Sequence, residues 1–303
     1  MVVTAPLNVY WWAPLRSPKL LKIEARDGFQ AWARLALRTA RPMLNFGDEL
    51  SRLVVSYATN RPVRWSRARS ADVIGIGSIL ELAIAGDARA VVWGTGLRGP
   101  LSDESRGRAR QSMQFAAVRG ALSRDQLGLP EGTPLGDPGL VISEMVADRP
   151  VHQRTGVIYI PHFRAWNSAA GRRTISAMRS SGLRIVEPTL PPIRLAERIA
   201  TSEMTLTSSL HGLILSHALG VPAQLVDSGE GEPAFKYADY LSAMGTRHEV
   251  RRISDVTSAA ARRELFERCE PVAPFLRAMS LTKARELVYA LRTSLLDTPG
   301  VVE

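Results

Sequence analysis

The sequence predicts an α/β protein of two domains, each built on a mostly parallel sheet, and three observations carry that prediction. Short apolar runs rich in β-branched residues alternate with amphipathic stretches along most of the chain. The alternation comes in two blocks, separated at 147–154 by a polar segment containing Pro150. A chain of 303 residues is long enough for two cores of ordinary size. The expected boundaries are 1–147 and 148–303, with the last helices packing back on the first domain.

Taken in order, residues 7–12 (Leu-Asn-Val-Tyr-Trp-Trp) read as a first strand between Pro6 and Pro14. Residues 26–40 carry Phe29, Trp32, Leu35 and Leu37 among arginines and read as an amphipathic helix. At Asn45-Phe-Gly-Asp48 a loop opens into a helix running to Tyr57, with Gly47 as a flexible turn and Asp48 as the N-cap. The runs from Asp72 and from Ala90 are short buried strands, each ending in paired glycines (Gly75 and Gly77, Gly94 and Gly96). Phe115–Val118 is the next strand, and Asp137-Pro-Gly139 punctuates the end of the first block.

The second block restarts with a strand at 157–160 that ends in Pro161-His-Phe-Arg164. A helix at 168–181, a strand at 183–186 and a helix at 193–200 follow. Then comes the most informative stretch. Met204–Thr207 reads as a buried strand, Ser208 and Ser209 as a corner, and Leu210–Leu219 as a helix stopped by Gly220 and Pro222. That places His211 at a strand's C-terminal end and in the first turn of a helix, where open α/β sheets bind ligands and free N–H groups attract anions. A strand at 223–227 and helices at 235–244, 257–269 and 274–296 complete the chain.

Composition narrows the function. Hydrophobic residues at 45% and charged ones at 22% suit a soluble globular protein, and no window reaches the ~18 apolar residues of a membrane span. Cys269 is the only cysteine, so neither a disulfide framework nor a cysteine metal site is expected, which fits a reducing cytoplasm. The N-terminus lacks the basic flank and apolar core of a signal peptide. The net charge of +10 rests on arginine, since only four of the 39 basic residues are lysines. These arginines are scattered, without Lys/Arg runs or interleaved aromatics, which favours anionic small molecules or a phospholipid surface over nucleic acid.

Several chemistries fail on spacing. His211 and His217 are six residues apart, on different faces of a helix, so they cannot share a metal ion, and no H-E-x-x-H or carboxylate cluster occurs. No G-x-S-x-G elbow is present. Gly94-Thr-Gly-Leu-Arg-Gly99 matches G-x-G-x-x-G, but Pro100 and a polar run follow where a dinucleotide fingerprint needs an apolar helix. Anion chemistry remains: Arg119, Arg164 and His211 each follow a strand, where the two sheets would face a shared cleft.

Asn45-Phe-Gly-Asp48, Val118-Arg-Gly-Ala-Leu-Ser123, Asp137-Pro138, Ile160-Pro-His162 and Ser208-Ser-Leu-His-Gly-Leu-Ile-Leu-Ser-His-Ala-Leu-Gly-Val-Pro222 together resemble the polysaccharide pyruvyltransferases. Within them the chain is most similar to the ketal-pyruvate transferases of exopolysaccharide synthesis, a branch that Phe235–Leu241 also resembles. The resemblance covers about residues 45–245. It implies a GT-B type fold, two Rossmann-like domains facing a cleft, and transfer of the enolpyruvyl unit of phosphoenolpyruvate onto sugar hydroxyls to leave a pyruvate ketal. It implies no cofactor and no metal, a sugar or lipid-linked oligosaccharide acceptor, and work in the cytoplasm with peripheral contact at the inner membrane face.

Carried onto this chain, the resemblance places the family's cleft histidine at His211, and an imidazole titrating near neutrality makes it the expected catalytic residue, the general acid that protonates the donor's methylene. Arg119, Arg164, Ser208, Ser209, Gly212 and Lys236 are expected on the donor side. Asn45, Gly47, Asp48, Gly77, Ser78, Gly94, Thr95 and His162 are expected on the acceptor side or in the cleft. One departure stands out: many members carry arginine two residues before the histidine, where this chain has Ser209. Arg164 or Lys236 is expected to supply the missing charge. Two alternatives stay open: a GT-B glycosyltransferase with a nucleotide-sugar donor, and a non-catalytic protein that binds acidic glycans.

Overall fold

A computed structural model describes residues 5–40, 45–146, 153–229, 231–247 and 249–297. The expected domain boundary at 147/148, and most of the linker around it, lies outside those residues. Two separate, wholly parallel sheets organise the chain. The first holds β1 (Leu7–Tyr10), β2 (Val63–Trp65), β3 (Val73–Ile74), β4 (Val91–Trp93) and β5 (Gln114–Ala117), in the order β2-β1-β3-β4-β5. Its helices are α1 (Pro18–Thr39), α2 (Phe46–Thr59), α3 (Leu80–Ala85), α4 (Asp103–Ser112), α5 (Ala121–Leu127) and α6 (Ile142–Met145).

The second sheet, in the order β7-β6-β8-β9, holds β6 (Val157–Ile160), β7 (Arg184–Ile185), β8 (Met204–Thr207) and β9 (Ala223–Leu225). Its helices are α7 (Ala169–Ser180), α8 (Pro192–Ala200), α9 (Leu210–Leu219), α10 (Ala234–Ala243), α11 (Ala259–Cys269) and α12 (Ala273–Leu296). Helix α9 is buried along its whole length. Being apolar all round, it sits between α8, α6 and α12 rather than on the surface.

Three expectations change at the level of elements. The first helix begins at Pro18 rather than 26, because Ser17 caps it through the Leu20 N–H and proline suits a first helical position. Its backbone breaks from helical geometry at Gly28, which lies so close to Asn167 that a side chain there would overlap it. Of its apolar residues, Trp32 and Leu35 are buried whereas Phe29 and Leu37 are exposed. The second change is β2, which pairs with β1 over three residues and had no strand signal, since a charged Arg64 sits at its centre. The third is that Asn45, not Asp48, stands at the N-cap of α2. Asp48 lies in the first turn and accepts a 2.6 Å hydrogen bond from the Asn45 amide.

The final helix spans both blocks. It lies against β4, β5, α2 and the 3-10 turn Pro138–Val141 of the first block as well as α9 of the second. Leu276, Leu287, Leu291 and Leu295 on it are buried, and the Trp93 indole donates to the Leu287 carbonyl at 2.8 Å. A second tie joins the turn after β5, and α5, to α10. Arg119 and Asp239, both fully buried, pair at 3.0 Å, and Asp239 also accepts from the Ser123 N–H (2.8 Å) and hydroxyl (2.7 Å). A buried pair this fully hydrogen-bonded holds two elements in one register.

Candidate active site

The C-terminal ends of β1, β3, β6 and β8 open on one cavity of about 350 Å³, between the two sheets. This is where the strand direction of parallel sheets puts ligand sites. Of the residues expected from sequence, Asn45, Asp48, Ser78, His162, Arg164, Ser209, His211 and Lys236 line it. Trp12, Glu81, Arg98 and Phe163 line it too and were not anticipated.

His211 is the second residue of α9, and Ser209 caps that helix by accepting from the Gly212 N–H at 3.4 Å. Ser209, at the position where the resemblance led to an arginine being expected, is therefore a helix cap on the cavity wall. The His211 Nε2 points to the Asp137 carboxylate at 4.0 Å, beyond hydrogen-bond reach, and neither facing atom has a hydrogen-bond partner. Burial, and then the charges of Arg119 and Lys236, push the imidazole down to about 3, so it is uncharged at neutral pH. Burial pushes Asp137 up to about 6, opposed by the Gly139 N–H and Arg119.

Gly47 explains how close the imidazole sits to α2. A β-carbon on Gly47 would overlap the His211 ring. Gly47→Ala is therefore expected to lower turnover at least tenfold by displacing the ring, given that shifts of ~1 Å can lower rates by 10². Comparing kcat with the thermal midpoint separates that displacement from unfolding.

Asp48, in the turn beside Gly47, is the second proton-bearing group on the wall. Burial raises its carboxyl to about 8, with the Asn45 hydrogen bond opposing, so it keeps its proton at neutral pH. On the opposite side three cations converge. Lys236 donates to Glu232 at 2.6 Å, Arg98 reaches the same carboxylate at 3.2 Å, and Arg164 lies 3.9 Å from it. Burial lowers Lys236 to about 8 despite the Glu232 charge. His162 completes the group with Nδ1 3.4 Å from Glu232, and burial followed by the Lys236 and Arg164 charges keeps its pKa well down.

The remaining expected residues stand behind this wall. Arg119, expected on the donor side, is fully buried, and its guanidinium is engaged with Asp239, with the Ser78 hydroxyl (2.5 Å) and with the Leu97 carbonyl (2.5 Å). It braces the wall and acts on the cavity through its charge. Ser208 accepts from the His162 N–H at 2.8 Å, fixing the corner after β6. Gly212 presses on Thr207, Gly94 on Pro138, and the Thr95 hydroxyl donates to the Gly77 carbonyl at 2.5 Å. His217 turns away, to the Tyr240 hydroxyl at 2.9 Å.

Two missed residues had readable signals. Glu232 and Lys236 stand four apart, the spacing of a helical ion pair. Arg98 sits within the rejected Gly94–Gly99 run, which forms a loop at the cavity rather than a helix start. Asp137 was recorded only as part of a motif.

Among solved structures, a spinosyn rhamnosyltransferase (SpnG) complexed with thymidine diphosphate is similar, with a TM-score of 0.33 and 15% identity, over 89% of this chain and 80% of that one. The succinoglycan biosynthesis protein ExoV of Rhizobium meliloti (strain 1021) is 29% identical over 195 residues, 62% of this chain. The match spans 58% of that protein's own length. The family model described as polysaccharide pyruvyl transferase matches residues 16–228, a span that takes in α2, the His211 corner and most of the cavity wall, and the chain belongs to that family.

Proposed function

We propose that this protein transfers the pyruvyl unit of phosphoenolpyruvate onto a sugar of an exopolysaccharide or its lipid-linked precursor, forming a pyruvate ketal. The observation that carries this reading is the division of the cavity wall. Arg98, Arg164 and Lys236 form one side, and the proton-handling groups His211 and Asp48 form the other, with Asp137 fully buried behind His211. A donor with a phosphate and a carboxylate needs the first side, and addition of an alcohol across its double bond needs the second.

The balance of the reaction assigns the roles. One sugar hydroxyl adds to C2 of the donor while C3 gains a proton. A second hydroxyl then forms the other C2–O bond as the C2–O bond to phosphate breaks, and phosphate leaves with that hydroxyl's proton. Burial holds His211 neutral, so His211 enters as the base for the attacking hydroxyl rather than as the acid expected from sequence. Asp48, protonated up to about pH 8, is the proton source for C3. The α9 N-terminus and Lys236 stabilise the anion that departs.

The charge on Lys236 is present below about pH 8 and lost above it. Deprotonation of Asp48 over the same range adds a negative charge. Both changes oppose an anionic donor, so the KM for phosphoenolpyruvate is expected to climb steeply above pH 8 while remaining nearly flat from pH 6.5 to 7.5. An unchanged KM at pH 9 would remove Lys236 from the donor site.

A thermal-shift series with phosphoenolpyruvate, UDP and UDP-sugars tests the donor class. Stabilisation by phosphoenolpyruvate alone supports pyruvyl transfer, by a nucleotide alone a glycosyltransferase, and by neither a glycan-binding protein. Among the described residues no helix is long and apolar enough to cross a membrane. Exposed Phe29 and Leu37 on α1, a helix that also carries Lys19, Lys22, Arg34 and Arg38, support peripheral contact with an anionic cytoplasmic membrane face.

A further inference from the structure

Six charged side chains around the cavity's cationic side balance one another. Arg98, Arg164 and Lys236 are the cations, and Glu24, Glu81 and Glu232 the carboxylates. Asp48 adds no charge at neutral pH, since burial holds its proton. A phosphate entering this arrangement therefore finds no surplus positive charge. A site for a multiply charged anion needs one, because the anion must exchange its hydration for ionic partners.

The three carboxylates are not equally placed. Glu24 lies on α1 and reaches Arg164 at 3.6 Å, while Glu81 lies on α3 and accepts from the Arg98 backbone N–H at 2.6 Å. Both are fixed to helices at the edge of the cluster. Glu232 is at its centre, with one oxygen shared by Lys236 (2.6 Å) and Arg98 (3.2 Å) and the other facing His162 (3.4 Å) and Arg164 (3.9 Å). Four cationic or imidazole groups around two carboxylate oxygens is the environment a bound phosphate or carboxylate would have. Glu232 also stands in an irregular segment before α10 rather than in a helix, next to Gly231. The backbone there is left-handed (φ 68), and a β-carbon on Gly231 would meet nothing within 4 Å. That side is open for the segment to move.

We propose that Glu232 is a resident counter-ion that occupies the donor's anion subsite, formed by Arg98, His162, Arg164 and Lys236, and withdraws when a phosphate or carboxylate binds. The inference rests on the reading of this cavity as a donor site, and it adds a built-in competitor to it. Without a bound anion, the competitor keeps the half-exposed Arg98 and Arg164 and the buried Lys236 paired, and Lys236 protonated. It also discriminates against neutral molecules, which cannot replace its charge. The apparent affinity for an anion is the intrinsic one reduced by the fraction of molecules with Glu232 withdrawn.

Titration calorimetry with inorganic phosphate and with phosphoenolpyruvate, on wild type and on Glu232→Gln, tests this. The pH should be 6, well below the Lys236 titration, so that losing the carboxylate does not also discharge the lysine. Glu232→Gln is expected to bind inorganic phosphate about tenfold or more tightly than wild type, with phosphoenolpyruvate shifted the same way. Glu232→Asp keeps the charge but withdraws it by one methylene, and its affinity is expected to fall between the two, which covers the case of a misfolded Gln variant. Equal or weaker phosphate binding by either variant overturns the inference. A wild type that binds phosphate but not phosphoenolpyruvate sinks the donor reading instead, and the phosphate comparison still decides the role of Glu232.

Discussion

His211→Gln is expected to lower kcat for pyruvyl transfer by about 10²- to 10⁴-fold, the usual range for loss of a positioned proton-transfer group. The thermal midpoint should shift little, because glutamine is close in volume and the buried His211 Nε2 makes no hydrogen bond. The size of the effect follows from geometry. The imidazole is held by Gly47 on one side and aimed at Asp137 on the other, and 4.0 Å is a gap that a small closure around the substrate would turn into a hydrogen bond. Asp137 would then stabilise the imidazolium that forms when the sugar hydroxyl loses its proton. Loss of kcat with KM for phosphoenolpyruvate nearly unchanged fits a group that works in the chemical step. A large rise in KM with kcat retained would make His211 a binding residue.

Arg119→Ala is expected to destabilise the fold by roughly 3–5 kcal/mol, the range for removing one member of a buried ion pair. The substitution leaves the Asp239 carboxylate without its cation in a fully buried position, with only the Ser123 donors to hold it. It also frees the Leu97 carbonyl and the Ser78 hydroxyl on the cavity side. Arg119→Lys should recover only part of this, since an ammonium cannot span Asp239, Ser78 and Leu97 as a guanidinium does. Denaturant unfolding of the two variants and of Asp239→Asn measures it. If Arg119→Ala unfolds at the wild-type midpoint yet fails to bind phosphoenolpyruvate, the arginine contacts the donor directly and its bracing role is wrong.

The rhythm of strands and helices was legible because most of the strands are buried on both faces and so read as short β-branched runs. The His211 corner was legible for a further reason: the serine cap, helix and glycine–proline stop lie within one stretch of sequence. Where the signal was weak, so was the reading. β2 has three residues and a central arginine, and α1 began earlier than its apolar spacing suggested, although Ser17-Pro18 marked its start. The cationic side of the cavity was legible only in part. Arg164 and Lys236 could be named, but their alignment depends on Glu232, and Arg98 lies 134 residues from its partner. Arg119 shows the same limit from the other direction. Its position after a strand suggested a ligand, whereas its partner Asp239 stands 120 residues away in a helix. Local pattern locates a charged side chain, and only the tertiary fold says whether it faces solvent, a ligand or another buried charge.

Incubation of the purified protein with phosphoenolpyruvate and a panel of galactosides, glucosides and mannosides, following phosphate release and the mass of the sugar together, tests the central claim most directly. The expected result is one phosphate released for each pyruvate ketal formed on at least one glycoside, with both signals lost in His211→Gln. Glycosyl transfer from a nucleotide sugar, with no phosphate released from phosphoenolpyruvate by any acceptor, would contradict it.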